Sequence, residues 1–296
     1  MSAQHFDFLD YINRRKAPKN GREEKWDFGE YAFAGDLRAL RRLDRGRAVR
    51  TVVKVTVRFW KAMHKGQLLG SSEKVSRRQF PELFDLVVEC AQTLDITFPT
   101  VYISQSLSGL NTGTYGTDDE AFLILNAALV DRLDEGELKF VIGHECGHIQ
   151  NNHVAYHTAA RYLSQDTTTI AKQAVVPARV ALNGWSRRGE ITCDRAGIIC
   201  CRDEEVALRT IMKLELGSEE YADEGDRQQY LAQLDESEGG LGRFQEYLTN
   251  HPSLSKRLKA LKIFAQSSYY RQLIGERGGE PLDEVDRAVD KVIQVL

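Results

Sequence analysis

His144-Glu145-Cys146-Gly147-His148 decides the reading of this 296-residue chain. On a helix, residues four apart lie one above the other, so both imidazoles project from one face. That spacing suits two corners of a tetrahedral zinc site, with Glu145 beside the metal as candidate general base. The pattern points to a zinc peptidase. Outward from it, Leu138-Lys139-Phe140-Val141-Ile142 supplies an apolar face, and Gly147 leaves room for another element to approach. Asp134-Glu135-Gly136-Glu137 has the form of a capping box that opens this helix.

Two histidines leave such a site short of one protein ligand. The candidate is Glu190, in Ser186-Arg187-Arg188-Gly189-Glu190-Ile191-Thr192-Cys193-Asp194. If this stretch is helical, Glu190 and Asp194 share a face one turn apart. Glu190 then binds zinc, and Asp194 accepts a hydrogen bond from the far ring nitrogen of His144, fixing its tautomer. The competing reading is a solvated acidic face beside Arg187 and Arg195, since helix-surface carboxylates are common.

The flanking elements are mixed. Residues 1 to 35 read as an arm broken at Pro18, Asn20 and Gly21. Leu37 to Lys65 reads as a basic helix interrupted near Gly46, with a strand over Val52 to Phe59 as the alternative. Pro81 to Leu94 is an amphipathic helix. Strands are expected at Val101 to Ser104 and Ala121 to Leu125, with a polar loop from Ser106 to Asp119 between them. Asn126 to Leu133 is a short helix. The fold class is α+β: mostly helical, with a small sheet beside the His144–His148 helix. The organisation expected is an N-terminal arm and basic segment over 1–67, a possible lid, ahead of a catalytic domain over 68–296.

Composition narrows the function classes. Hydrophobic content of 42% and charged content of 28% are those of a globular protein, and a net charge of −3 argues against a nucleic-acid binder. Charge is uneven: Asp36 to Lys65 holds ten Lys or Arg against two Asp. Glu215 to Glu246 holds ten Asp or Glu against Arg227 and Arg243. The basic segment has three readings: a solvated face, a peripheral contact with an anionic membrane, or a cover docked on the acidic segment. The last is preferred, because both charges occur in one chain. Cys90, Cys146, Cys193, Cys200 and Cys201 follow no disulfide or zinc-knuckle spacing. With no apolar leader and no spanning stretch in view, a cytoplasmic protein with reduced thiols is expected. Cys146 is about 200° round the helix from His144, so it reads as a small buried hydrophobe. His153 is expected at the solvent edge or behind a ligand, and His157 and His64 at the surface.

Three ordered motifs carry a family resemblance. His144-Glu145-x-x-His148, Ser186-Arg187-x-x-Glu190-x-x-x-Asp194 and His251-Pro252-x-x-x-x-Arg257 resemble the gluzincin metallopeptidases of the HtpX and CAAX-prenyl-protease type. Phe80-Pro81-Glu82-Leu83 is similar to the start of their first catalytic-domain helix. Val101-Tyr102-Ile103 falls where relatives have an edge strand, and Asn111 in a loop of theirs. The resemblance implies a zincin-like fold and peptide-bond hydrolysis with one Zn2+ per chain, held by His144, His148 and Glu190. It implies Glu145 as base, His251 steadying the oxyanion, Arg257 orienting His251, and Asn111 binding substrate backbone. Extended or unfolded polypeptide laid along the edge strand is the implied substrate. Thr112-Gly113-Thr114-Tyr115 departs from the relatives' sequence after the asparagine, and Cys193 replaces their usual alanine. Membrane-embedded relatives have spanning segments where this chain shows none, which reads as a soluble branch. Two other classes stay open: a zinc-binding regulatory protein, catalytically weak or autoinhibited, and a zinc hydrolase of non-peptide amides.

Overall fold

The computed structural model describes residues 28–62, 66, 70–105, 112–117, 120–165, 172–217 and 251–294. In chain order these form α1 (Ala34–Arg45), α2 (Arg47–Trp60), β1 (Ser72–Lys74), α3 (Pro81–Thr93) and β2 (Thr100–Ser104). Next come β3 (Thr112–Thr117), β4 (Glu120–Asn126), α4 (Ala127–Arg132), α5 (Glu135–Gln150) and α6 (Val154–Gln165). The chain continues through α7 (Lys172–Cys201), α8 (Glu204–Leu216), α9 (Leu254–Ala265), α10 (Ser268–Leu273) and α11 (Leu282–Ile293). The result is the expected α+β, mostly helical fold with one small sheet.

Helix α5 starts where its capping box predicts. Asp134 accepts from the Glu137 amide at 2.8 Å, and Glu137 accepts from the Asp134 amide at 3.1 Å. Arg209 and Lys213 of α8 hold the buried Glu137 carboxylate, each at 2.8 Å. The apolar face of α5 (Phe140, Val141, Ile142) packs into a core shared with Val87 of α3, Leu123 of β4, Ile198 of α7, Ile211 of α8, Phe264 of α9 and Val289 of α11.

Helices α5 and α7 meet almost backbone to backbone. A Cβ at Gly147 would sit 2.8 Å from the Ala196 Cβ, and one at Gly143 2.7 Å from the Cys200 Sγ. From the other side, a Cβ at Gly197 would meet the Phe140 ring at 2.7 Å. The room expected at Gly147 is filled by α7.

The sheet order is β1-β2-β4-β3, with β2 and β4 parallel and both outer pairs antiparallel. Two expectations are corrected here. Residues 112–117, read as loop, form strand β3, paired with β4 from Thr112↔Leu125 to Thr117↔Glu120. Its threonines, Tyr115 and buried Thr114 suit a pleated surface, and the polarity that suggested a loop faces the candidate site. Val101-Tyr102-Ile103 is not an edge: β2 lies between β1 and β4, and among the described residues β3 is the edge beside α5.

Both halves of the basic segment are helical, broken at Gly46 as expected, and Val52 to Phe59 is helix rather than strand. Leu40, Leu43, Val53 and Val57 form a second core with Tyr156 and Ala159 of α6 and Leu182 and Trp185 of α7. Asp36, fully buried, accepts from the Trp185 indole at 2.8 Å and the Thr192 hydroxyl at 2.6 Å. Arg38 pairs with Asp290, and Lys61 with Glu120. The acidic stretch thought to receive this segment is described only as far as Gly217; the rest lies outside the described residues, as do Asn111 and His64. Among the described residues no helix is long and apolar enough to cross a membrane.

Candidate metal centre

Residues from six elements line a cleft of about 240 Å3, among them His144, Glu145, His148, Glu190 and Arg257, with His251 just ahead of α9. His144 and His148 project from one face of α5, as their spacing demands. Across 41 intervening residues, α7 brings Glu190 between them. Its Oε2 lies 3.4 Å from His144 Nε2, and its Oε1 3.7 Å from His148 Nε2. Ligands about 2.0–2.1 Å from a tetrahedral zinc stand roughly 3.3 Å apart, so these separations fit donors converging on one ion. Glu190 Oε1 is buried without a hydrogen-bond partner, an orphaned acceptor that a cation would satisfy.

Asp194 stands behind His144, with Oδ1 3.0 Å from Nδ1. Arg257 of α9 grips Asp194 through Nε at 2.9 Å and Nη2 at 2.7 Å, and Glu215 through Nη1 at 2.6 Å. Arg257, expected to orient His251, forms a clamp on Asp194. Planar guanidinium donors match a carboxylate edge, which is where α9 aims them. His251 is part-exposed and reaches Glu190 Oε2 through Nδ1 at 3.2 Å. The Thr114 hydroxyl on β3 donates to Glu145 Oε2 at 2.7 Å.

The electrostatics suit donors of lone pairs. Burial by itself would raise the Glu190 carboxyl, but His251 and the neighbouring imidazoles of His144 and His157 hold it well below the usual range. Burial, then the nearby His157, pushes His148 down, keeping that imidazole neutral. His144 differs. Burial opposes its charge, yet hydrogen bonds to Asp194 and Glu190 push it up to about 10, so its proton must leave before a metal binds. For Asp194, Arg257 outweighs burial and lowers the carboxyl.

Two further histidines are buried: His153, expected at the solvent edge or behind a ligand, takes the second place, and His157, expected at the surface, does not lie there. His153 is fully enclosed, its Nδ1 3.3 Å from His148 Nδ1 and its Nε2 3.0 Å from Asp36 Oδ2. If His148 offers Nε2 to a metal, its Nδ1 carries the proton and points at the bare Nδ1 of His153. His153 is then protonated on Nε2, the nitrogen that faces Asp36 across 3.0 Å. His157, 3% exposed, lines the cleft itself, its Nε2 3.4 Å from Glu190 Oε1. A lone histidine on a helix gives no sequence signal of this. Only its spacing of nine from His148 across the Asn151-Asn152 turn hinted at a return to the same side. Asn152 takes the left-handed conformation there, φ 58°, which asparagine tolerates.

Cys146 and Cys200 are buried and Cys201 partly so, as packing predicts. Cys193 approaches His144 and His148 closely enough to form a trio with them. Burial, reinforced by Glu190 and Asp36, pushes its thiol well up in the metal-free protein.

The family model described as peptidase family M48 matches residues 77–265. The chain is similar to the plastoglobule-localized metallopeptidase 48, chloroplastic, of Arabidopsis thaliana, 29% identical over 217 residues. That match covers 70% of this chain and 63% of the relative, just under two thirds of its length. It is similar to a protease HtpX homolog of Salinibacter ruber, 23% identical over 71% of this chain and 83% of that protein. A protease HtpX homolog 1 of Streptomyces coelicolor is 26% identical over 63% and 72% respectively. No solved structure matches.

Proposed function

The chain belongs to peptidase family M48, an HtpX-like metalloprotease, and from that premise we propose a zinc-dependent endopeptidase with Glu145 as general base. His144, His148 and Glu190 hold the metal. The observation that carries this is the Glu190 carboxylate lying within 3.4 and 3.7 Å of both imidazoles. A bound zinc supplies Lewis acidity, lowering the pKa of water towards neutrality and polarising a carbonyl.

The chain's own groups do the rest. Thr114 fixes the Glu145 carboxylate, which takes the proton of the attacking water and passes it to the departing amine. Asp194, held by Arg257, keeps His144 oriented, so both act as positioning residues. His251, at the part-exposed side of the cleft, steadies the developing oxyanion. Extended polypeptide lies alongside β3, whose Thr112 lines the cleft, and Asn111 on the preceding stretch receives its backbone.

The division into an arm and basic segment (1–67) and a catalytic domain (68–296) belongs to the same proposal, as does a cytoplasmic location, supported by five unpaired thiols. Removing residues 1–27 tests the arm's part in the cover without stripping Leu40 and Val57 from their core. Activity rises if the arm shields the cleft and stays level if it does not. Cell fractionation tests the compartment.

Unfolded casein with purified protein is the decisive assay. We expect cleavage, its loss on chelation and return with zinc, and a fall of about 100-fold or more in Glu145→Gln. Chelator-resistant cleavage, or full activity of that variant, overturns the reading. Metal binding without turnover favours a regulatory, autoinhibited protein, a reading to which the position of His157 gives support.

A further inference from the structure

His157 belongs to none of the motifs that assign roles in this cleft, yet it occupies the cleft's interior. Its ring stacks on His148 with centroids 4.3 Å apart and 30° between the planes. Its Nε2 is nearer to Glu190 Oε1, at 3.4 Å, than is that of His148, at 3.7 Å. One donor atom from each of His148, His157 and Glu190 lies within 4.8 Å of the other two.

Two of these three groups carry orphaned atoms. Both ring nitrogens of His157 are buried without a hydrogen-bond partner, and so is Glu190 Oε1. A buried imidazole with neither nitrogen satisfied is a cost that packing alone does not require, since a phenyl or leucyl side chain fills such space without it. The neighbourhood holds the ring in place. The Thr158 hydroxyl accepts from the Gly116 amide at 3.2 Å, and Arg161 donates to the Thr112 carbonyl at 3.1 Å, so α6 is stitched to β3 within one turn of His157.

We propose that His157 is a further protein ligand of the metal, joining His144, His148 and Glu190, so that three imidazoles and one carboxylate hold the resting centre. This rests on the reading of the cleft as a metal site. A catalytic zinc keeps one position open for water, whereas four protein ligands are the mark of a closed site. His157 thus makes the centre latent: turnover requires it to yield its place or the coordination to expand.

The test uses the full chain as wild type, His157→Phe and His157→Gln. Zinc affinity is measured by chelator competition, imidazoles are counted by X-ray absorption at the zinc edge, and the metal-free proteins are melted. We expect three imidazoles in the wild type and two in each variant. Affinity should fall by at least the roughly tenfold that loss of a supporting partner alone brings. The metal-free His157→Phe protein should melt no lower than wild type, because no hydrogen bond is lost. Should it misfold, His157→Gln carries the comparison. Two imidazoles in the wild type, or unchanged count and affinity in the variants, overturns the proposal while leaving the zinc site intact. A wild-type protein that binds no zinc instead removes the reading of the cleft on which it stands.

Discussion

Replacing Asp36 by alanine should destabilise the metal-free protein by about 3 kcal/mol. The carboxylate is wholly buried and takes two strong hydrogen bonds, from the Trp185 indole at 2.8 Å and the Thr192 hydroxyl at 2.6 Å. Hydrogen bonds to charged acceptors are worth about 1.5–3 kcal/mol each, so the pair is worth about 3–6. Removing the charge also relieves its own desolvation, which puts the net loss at the lower end. The orphaned indole has no easy substitute, since Trp185 is buried on all sides. For a chain of this size, about 3 kcal/mol corresponds to a fall of roughly 8 °C in Tm. Urea and thermal melts, each with and without zinc, read the effect. Asp36→Asn retains one acceptor oxygen and should lose about half as much. Because His153 faces Asp36 on one side and His148 on the other, both variants should also bind zinc more weakly. Asp36→Ala within 1 kcal/mol of wild type, with unchanged zinc affinity, refutes the reasoning.

Gly147→Ala should destabilise despite the better helix propensity of alanine. That propensity favours it by about 1 kcal/mol, whereas overpacking costs roughly 1–3, and the new Cβ meets the Ala196 Cβ at 2.8 Å; a raised Tm would contradict this. Native thiols should resist alkylation at pH 8. Burial pushes Cys201 up to about 12, which cuts its thiolate about 1,000-fold relative to the unshifted group, so labelling should await unfolding. The same shift sets an alkaline limit. A thiol whose folded pKa exceeds the unfolded value, about 8.5, stabilises fully below that pH and loses its contribution between there and about 12. Urea midpoints should therefore decline from pH 8 to 10, and a flat profile would count against buried neutral thiols.

The parts written into local sequence were legible. The capping box at Asp134, the pairing of His144 with His148 and the one-turn step from Glu190 to Asp194 are consequences of helical repeat, and each stands in the structure. What was missed depends on contacts between distant segments. Strand β3 looked like loop because its polar residues serve a buried carboxylate, not water: Thr114 points at Glu145. His157 looked like a surface residue because little near it in sequence reveals that α6 turns back over His148. Asp36 was invisible for the same reason. An acid in a basic helix reads as one charge among many until Trp185 and Thr192 arrive from 149 and 156 residues away.

The glycine contact between α5 and α7 leaves those helices no slack. Side chains normally act as spacers that slide or re-rotamerise when two helices shift, but at Gly143, Gly147 and Gly197 there are none to adjust. The gap between the imidazoles and the Glu190 carboxylate is consequently a close gauge, set by glycines packed on Ala196, Cys200 and Phe140. Any widening to admit a peptide must come from the remaining walls, the β3 margin, the α6 side and the His251 rim, so breathing belongs to the periphery while the two central helices stay locked.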